Sequence, residues 1–172
     1  MKYKSSFDTT VLVISALIIF FAIYFLKREL VTFDDSKGNF LILISNLKFT
    51  ILLLVCLLVS FSLSIKYYRI DQSAIIIKRR LYKKVIELKD VESIERKYAL
   101  DAYIRIFGIG GLFGYNGIFL TTNWKIVYLY TNHRNNLIRI NRRHAPPVYI
   151  SPDDADAFVA ECKERGLMLL EA

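Results

Sequence analysis

Two long apolar runs without a charge open the chain, and short alternating segments in a polar, basic setting follow them. Thr9–Leu26 holds eighteen such residues and Phe49–Ile65 seventeen. As a helix the first run spans about 27 Å at ~1.5 Å per residue, close to the ~30 Å of a bilayer's hydrocarbon. Lys27 and Arg28 close that run, and Lys48 and Lys66-Tyr67-Tyr68-Arg69 flank the second. Cations that snorkel and tyrosines at the ends are what a membrane–water boundary favours. The pattern predicts two transmembrane helices, at about 9–26 and 49–65, making residues 1–65 a membrane anchor. A signal peptide competes for the first run, but Ile23-Tyr24-Phe25-Leu26 is bulky where a signal peptidase needs small side chains. Ser60 and Ser64 lie four apart, which on a helix either lets a second backbone approach or leaves a serine stripe facing lipid. Within Glu29–Leu47, apolar pieces flank Asp34-Asp35-Ser36-Lys37-Gly38, and both a small hairpin and an early start of the second helix fit.

From Lys66 the period falls to two. Tyr67–Ile70, Ala74–Arg79, Val85–Leu88, Asp90–Arg96, Trp124–Thr131, Asn136–Asn141 and Pro146–Ile150 read as strands, being rich in Ile, Val and Tyr between polar turns. Ser151-Pro152-Asp153-Asp154 offers a capping serine, a proline for the first helical position and two carboxylates facing the dipole. A helix is predicted over Pro152–Arg165, with Ala155, Phe158, Val159 and Cys162 on one face and Gly166 as its stop. Successive strands closed by one helix are an α+β pattern with an antiparallel sheet, so residues 66–172 form a second domain.

Charge changes the picture by giving the anchor a direction. Twenty-four basic against sixteen acidic residues leave +8, a balance that suits a nucleic acid, an anionic membrane surface or the cytoplasmic flank of a membrane protein. With membrane segments present the last comes first. Lys2, Lys4, Lys66, Arg69, Lys78, Arg79, Arg80, Lys83 and Lys84 make nine cations on the side of the two ends, against Lys27, Arg28, Lys37 and Lys48 in the connection. The expected protein is multi-pass in a bacterial cytoplasmic (inner) membrane with both termini cytoplasmic. Cys56 and Cys162 stand alone, without CxxC spacing, and read as packing residues rather than a disulfide or metal framework.

The segment 66–165 resembles the bacterial pleckstrin-homology-like (PH-like) domain family. The resemblance is carried by the opening Tyr68-x-Ile-Asp71, by Asp90-Val-x-Ser-Ile94, by Arg105-Ile-Phe-Gly-Ile-Gly-Gly-Leu-Phe-Gly-Tyr-Asn-Gly117 and by the closing Ile150-Ser-Pro-Asp-Asp154. It implies a strongly bent antiparallel sheet, partly closed as a barrel, with a C-terminal helix over one open end. It does not by itself imply a function; pleckstrin-type folds elsewhere mostly dock lipid headgroups or peptides, and the fold does not fix which.

Three candidate chemistries remain. Gly108, Gly110, Gly111, Gly114 and Gly117 match neither GxGxxG nor a P-loop, and read as tight turns rather than a phosphate cradle. The basic turn Lys78, Arg79, Arg80, Lys83 and Lys84 reads either as a lipid- or partner-contact loop or as a topology signal. Arg139, Arg142 and Arg143, with Arg134 and His144, invite the same two readings. No catalytic motif surrounds His133 or His144, so the expectation is a non-enzymatic module with no cofactor, no metal and no nucleic-acid partner. It is a membrane-held binding or regulatory unit or, alternatively, an accessory subunit of a membrane complex that associates through its hairpin. Oligomeric state is open.

Overall fold

A computed structural model of the chain describes residues 1–35, 40–100 and 102–170. Strand β1 (Lys2–Lys4) precedes two long helices, α1 (Thr9–Asp35) and α2 (Phe40–Leu63), which pack side by side. Asp8 caps α1, its carboxylate accepting the Val11 amide at 2.7 Å. The helix runs through Lys27, Arg28 and Glu29, well past Leu26, because no glycine or proline interrupts that stretch. α2 begins at Phe40, so the early start of the second helix is the arrangement formed; of the expected polar turn, Asp34 and Asp35 belong to α1, and Ser36, Lys37 and Gly38 lie outside the described residues.

Strands β2 (Ile65–Ile70), β3 (Ala74–Arg79) and β4 (Lys83–Glu87) join β1 in a four-stranded antiparallel sheet of order β1-β2-β3-β4. The N-terminal residues, which the division at 65/66 leaves in the anchor, therefore complete a sheet of the domain. A seven-stranded sheet follows, made of β5 (Val91–Ala99), β6 (Ala102–Gly110), β7 (Tyr115–Thr121), β8 (Ile126–Thr131), β9 (Asn135–Arg142), β10 (Val148–Ile150) and β11 (Leu169–Leu170). Its order is β11-β5-β9-β10-β8-β7-β6. The expectation of an antiparallel sheet needs correction here. β10 slots between β8 and β9, which run in opposite directions, and must be parallel to one of them; it is parallel to β8, as β11 is to β5.

Helix α3 (Ala155–Glu164) starts later than predicted. Asp154, not Ser151, is its cap, with Oδ1 accepting the Ala157 amide at 2.9 Å. Ser151 is fully buried and spends its hydroxyl inside the domain. Between the sheets and α3 lies a core of Ile75, Ile77, Ile94, Ile138, Ile140, Ile150 and Phe158. Cys162 belongs to it, and burial pushes its thiol up to about 12, which keeps it protonated and inert. A second core joins Val11 of α1 to Tyr115, Phe119, Val127, Leu129, Leu137 and Tyr149.

One polar cluster ties the helices to both sheets. The Asn132 side chain donates to Ser5 O at 2.8 Å and Ile65 O at 3.0 Å and accepts from the Ile65 amide at 3.4 Å, while its own amide donates to Ser151 Oγ at 2.9 Å. Tyr68 donates its hydroxyl to Tyr130 O at 2.7 Å and accepts the Ser151 amide at 3.1 Å. Burial pushes the Tyr68 phenol up to about 12, so it stays a donor. Nearby, β1 is pinned at its other end. Tyr3 stacks edge-on against Phe158 at 5.0 Å and donates to Glu161 Oε2 at 2.6 Å, and the amino terminus reaches Glu161 Oε1 at 3.4 Å.

Two outcomes follow. Asn132→Ala strips two buried bonds and a part-buried one and should cost roughly 2–4 kcal/mol in urea unfolding, since each orphaned buried polar group costs about 1–3. For Glu161, burial pushes the carboxyl up, but hydrogen bonds from Tyr3 and Arg165 and the amino-terminal charge outweigh it and hold the group below its usual 4.5. A carboxyl depressed on folding contributes stability above its unfolded pKa and loses it as pH falls through the folded one. Attachment of β1 should therefore weaken below about pH 4.5, and Glu161→Gln should remove that acid dependence, as read by amide exchange at Tyr3.

Candidate basic surface at the foot of the helices

The β3–β4 turn is fastened to the end of α2. The Arg80 amide donates to Ser64 O at 3.2 Å and the Leu81 amide to Ser62 O at 3.3 Å. Arg80 lays its guanidinium over Phe61 at 4.1 Å and donates Nε to Ser64 Oγ at 2.9 Å. Phe61 also meets Phe113, edge-on at 5.3 Å, whose amide donates to Ser15 Oγ of α1 at 3.1 Å. Phe113 sits at the tip of the β6–β7 hairpin, where Gly111 lies so close to α1 that a Cβ would meet Ile14 Cδ1 at 3.2 Å. Further up, Gly108 and Gly117 face each other across the hairpin, and a Cβ on Gly117 would fall 2.1 Å from Phe107 O. The glycine-rich stretch thus serves close backbone approach.

The basic turn splits in two. Arg79 is only 5% exposed, sandwiched between the rings of Tyr82 and Tyr130 at 4.5 Å each and hydrogen-bonded to the Tyr82 hydroxyl. Arg80 is exposed, yet like Arg79 it is spent on contacts within the fold. Lys78 and Lys83 stand opposite each other on the outer face of the four-stranded sheet. Lys84 lies opposite Ile77 and lines a cavity of about 170 Å³ with Tyr128, Tyr130 and Arg142.

The second cluster divides likewise. Arg134 covers Tyr115 at 4.5 Å, and Arg142 donates from Nε to Pro146 O at 2.8 Å and covers Tyr128 at 5.4 Å. Arg139 meets Glu95 at 3.8 Å, an acid supplied by the neighbouring strand and far away in sequence. Arg143 and His144 line an open cleft of about 770 Å³ at the other end of the domain, with Lys89, Glu92 and Arg165. Ser60 Oγ donates to Cys56 O at 2.7 Å within α2. Ser64 falls one residue past the end of α2, so the four-residue spacing does not continue on a helical face. Among the described residues no three His, Cys, Asp or Glu side chains come together as a metal site would require.

Apolar side chains project outward along both helices, among them Leu12, Phe20, Phe21 and Ile23 of α1 and Ile51, Leu52, Leu58 and Val59 of α2. By length and composition Thr9–Val31 suffices to cross a membrane, and it is mostly exposed, unlike a core helix. Among the described residues it is the one helix that meets the criteria of length and apolar composition together, while Thr50–Leu63, the apolar end of α2, is a shorter stretch. The expectation of two membrane helices is to that extent narrowed to one.

Two packed sheets closed by a C-terminal helix define a PH-like domain. The family model described as Bacterial PH domain matches residues 66–166, and the chain belongs to that family. Comparison with curated proteins and with solved structures finds no match. The matched segment begins after α2, so β1 and the two helices lie outside it.

Sequence reading missed the polar cluster of Asn132, Ser151 and Tyr68 and the strand β1. A three-residue strand carries no period, and Asn132 looks like any turn asparagine. Arg79→Gln should lower stability by about 1–3 kcal/mol in urea unfolding, through two lost ring contacts and a buried hydrogen bond. Lys163→Gln, on the exposed side of α3, should stay within about 0.5 kcal/mol.

Proposed function

We propose that the chain is a non-enzymatic binding module anchored in a bacterial inner membrane. In this reading α1 and α2 cross the bilayer as a hairpin, and the PH-like domain docks anionic lipid headgroups at the cytoplasmic surface. The observation that carries it is the pairing of β1, ahead of α1, with β2, behind α2, in the register Lys2↔Arg69, Tyr3↔Tyr68, Lys4↔Tyr67. Strands paired in one sheet lie on one side of a membrane, so a crossing by α1 requires a return by α2. Over 24 residues α2 reaches about 36 Å at ~1.5 Å per residue, enough for that return. The cations gathered at this end agree with a cytoplasmic orientation. Exposed apolar side chains on both helices support lipid as their surroundings, because a soluble monomer rarely leaves so large a patch bare. The same pairing speaks against a cleaved signal sequence, whose removal would take β1 out of the sheet.

The isolated segment from residue 66 onward lacks β1, so tests belong on the full chain. In a background with Cys56 and Cys162 replaced by Ala, Lys2→Cys and Glu164→Cys should react with an impermeant maleimide only when the cytoplasmic face is exposed. Asp35→Cys should react only from the opposite face. Labelling of all three from one side would refute the hairpin.

A further inference from the structure

We infer that anionic phospholipid headgroups bind across a row of lysines on the outer face of the four-stranded sheet, a row that includes Lys4 from ahead of the first helix. The inference rests on the anchored reading above and says where on the molecule the lipid sits. Across the sheet Lys4 is opposite Tyr67, Tyr67 opposite Lys78, and Lys78 opposite Lys83. Directly opposed residues share a face, and strands lie ~4.8 Å apart, so the four side chains form one line about 14 Å long. Lys2 adds another ammonium, with Nζ over the Tyr67 ring at 5.3 Å.

No carboxylate stands in this line. The acids near its strands are already engaged, Asp8 with the Val11 amide at 2.7 Å, Asp71 with Arg69 at 2.6 Å, Glu87 with Lys89 at 2.6 Å, and Asp153, whose amide donates to Lys4 O, with the Ser6 hydroxyl at 2.8 Å. Like charges directly opposed across a strand pair destabilise a sheet, so Lys78 and Lys83 call for an anion from outside the chain. The position of the row points to lipid rather than a dissolved anion. Tyr67 is two residues beyond Ile65, only ~7 Å along a strand from the foot of α2. Beside Lys83, Leu81 is 76% exposed in the turn that rests on the end of α2. An apolar tip next to ammonium groups is matched by an interface of headgroups and acyl chains, and serves no purpose for phosphate in water. Lys4 lies outside the matched family segment, so the proposed site is built partly from residues the PH-like domain does not itself contain.

The full chain in discs of phosphatidylcholine, titrated with short-chain phosphatidylglycerol, tests this. Lys4→Gln, Lys78→Gln and Lys83→Gln should each weaken binding about fivefold, the equivalent of one lysine–headgroup attraction, and Lys163→Gln on α3 should leave it unchanged. Lys83→Gln should also raise the thermal midpoint in phosphatidylcholine alone, by relieving the opposed charges, while losing part of the gain from phosphatidylglycerol. Wild-type affinity in Lys4→Gln overturns the proposal. So does equal weakening in Lys163→Gln, which would make net charge the only cause, and so does inorganic phosphate competing as well as the lipid. A chain that does not enter the discs overturns the anchored reading itself, whereas one that enters and ignores phosphatidylglycerol overturns the lysine row alone.

Discussion

A single buried amide holds the two ends of the helical pair together. Asn132 bonds the chain just ahead of α1, at Ser5, and just behind α2, at Ile65, while its backbone and Ser151 join the ends of β8 and β10. Asn132, Ile65 and Ser151 are buried, so each bond left unmade among them would cost about 1–3 kcal/mol. The segments are therefore interdependent. The N-terminal strand, the start of α1 and the first strand after α2 come together at one place or leave several buried dipoles unmatched. That constraint makes the helical pair a hairpin and roots the domain on it.

The cations sort themselves by the physics of their head groups. Arg79, Arg80, Arg134 and Arg142 lie over the rings of Tyr82 and Tyr130, Phe61, Tyr115 and Tyr128, within 5.4 Å. A planar, weakly hydrated guanidinium stacks on an aromatic face at little desolvation cost. The strongly hydrated ammoniums of Lys2, Lys4 and Lys83 stay on the exposed surface. The clusters that look uniform in sequence are thus one set of arginines laid on aromatic rings, of which Arg79 is buried, and a set of lysines at the exposed surface. The grip of Arg80 and Phe113 on Phe61 belongs to the first set and fixes the domain against the end of α2.

Much of the α+β pattern was legible residue by residue. Ala74–Arg79 was recovered with its bounds, and Trp124–Thr131 differed only where Trp124, at φ +57°, turns the chain before β8. The β6–β7 hairpin was not read as strands, because glycines and two register shifts break its alternation. The start of α3 was misplaced because Ser151-Pro152-Asp153-Asp154 satisfies the local rules for a cap at Ser151. Local rules cannot see that the Ser151 hydroxyl is already needed by the Asn132 amide across the interior.

Hydrophobic period, turn residues and the run of uncharged residues thus determined where helices and strands form, the basic bias of the chain and its likeness to the PH family. These are properties of neighbours along the chain, set by steric preference and by the spacing of apolar side chains. Only the tertiary structure decided that three residues ahead of α1 become a sheet strand, that Arg79 is interior, that Glu95 answers Arg139, and that Lys4 stands in line with Lys78 and Lys83. Each of those depends on which strands lie side by side. That is fixed by burying two cores and satisfying one polar cluster at once, a balance summed over the whole chain and not carried by any local stretch.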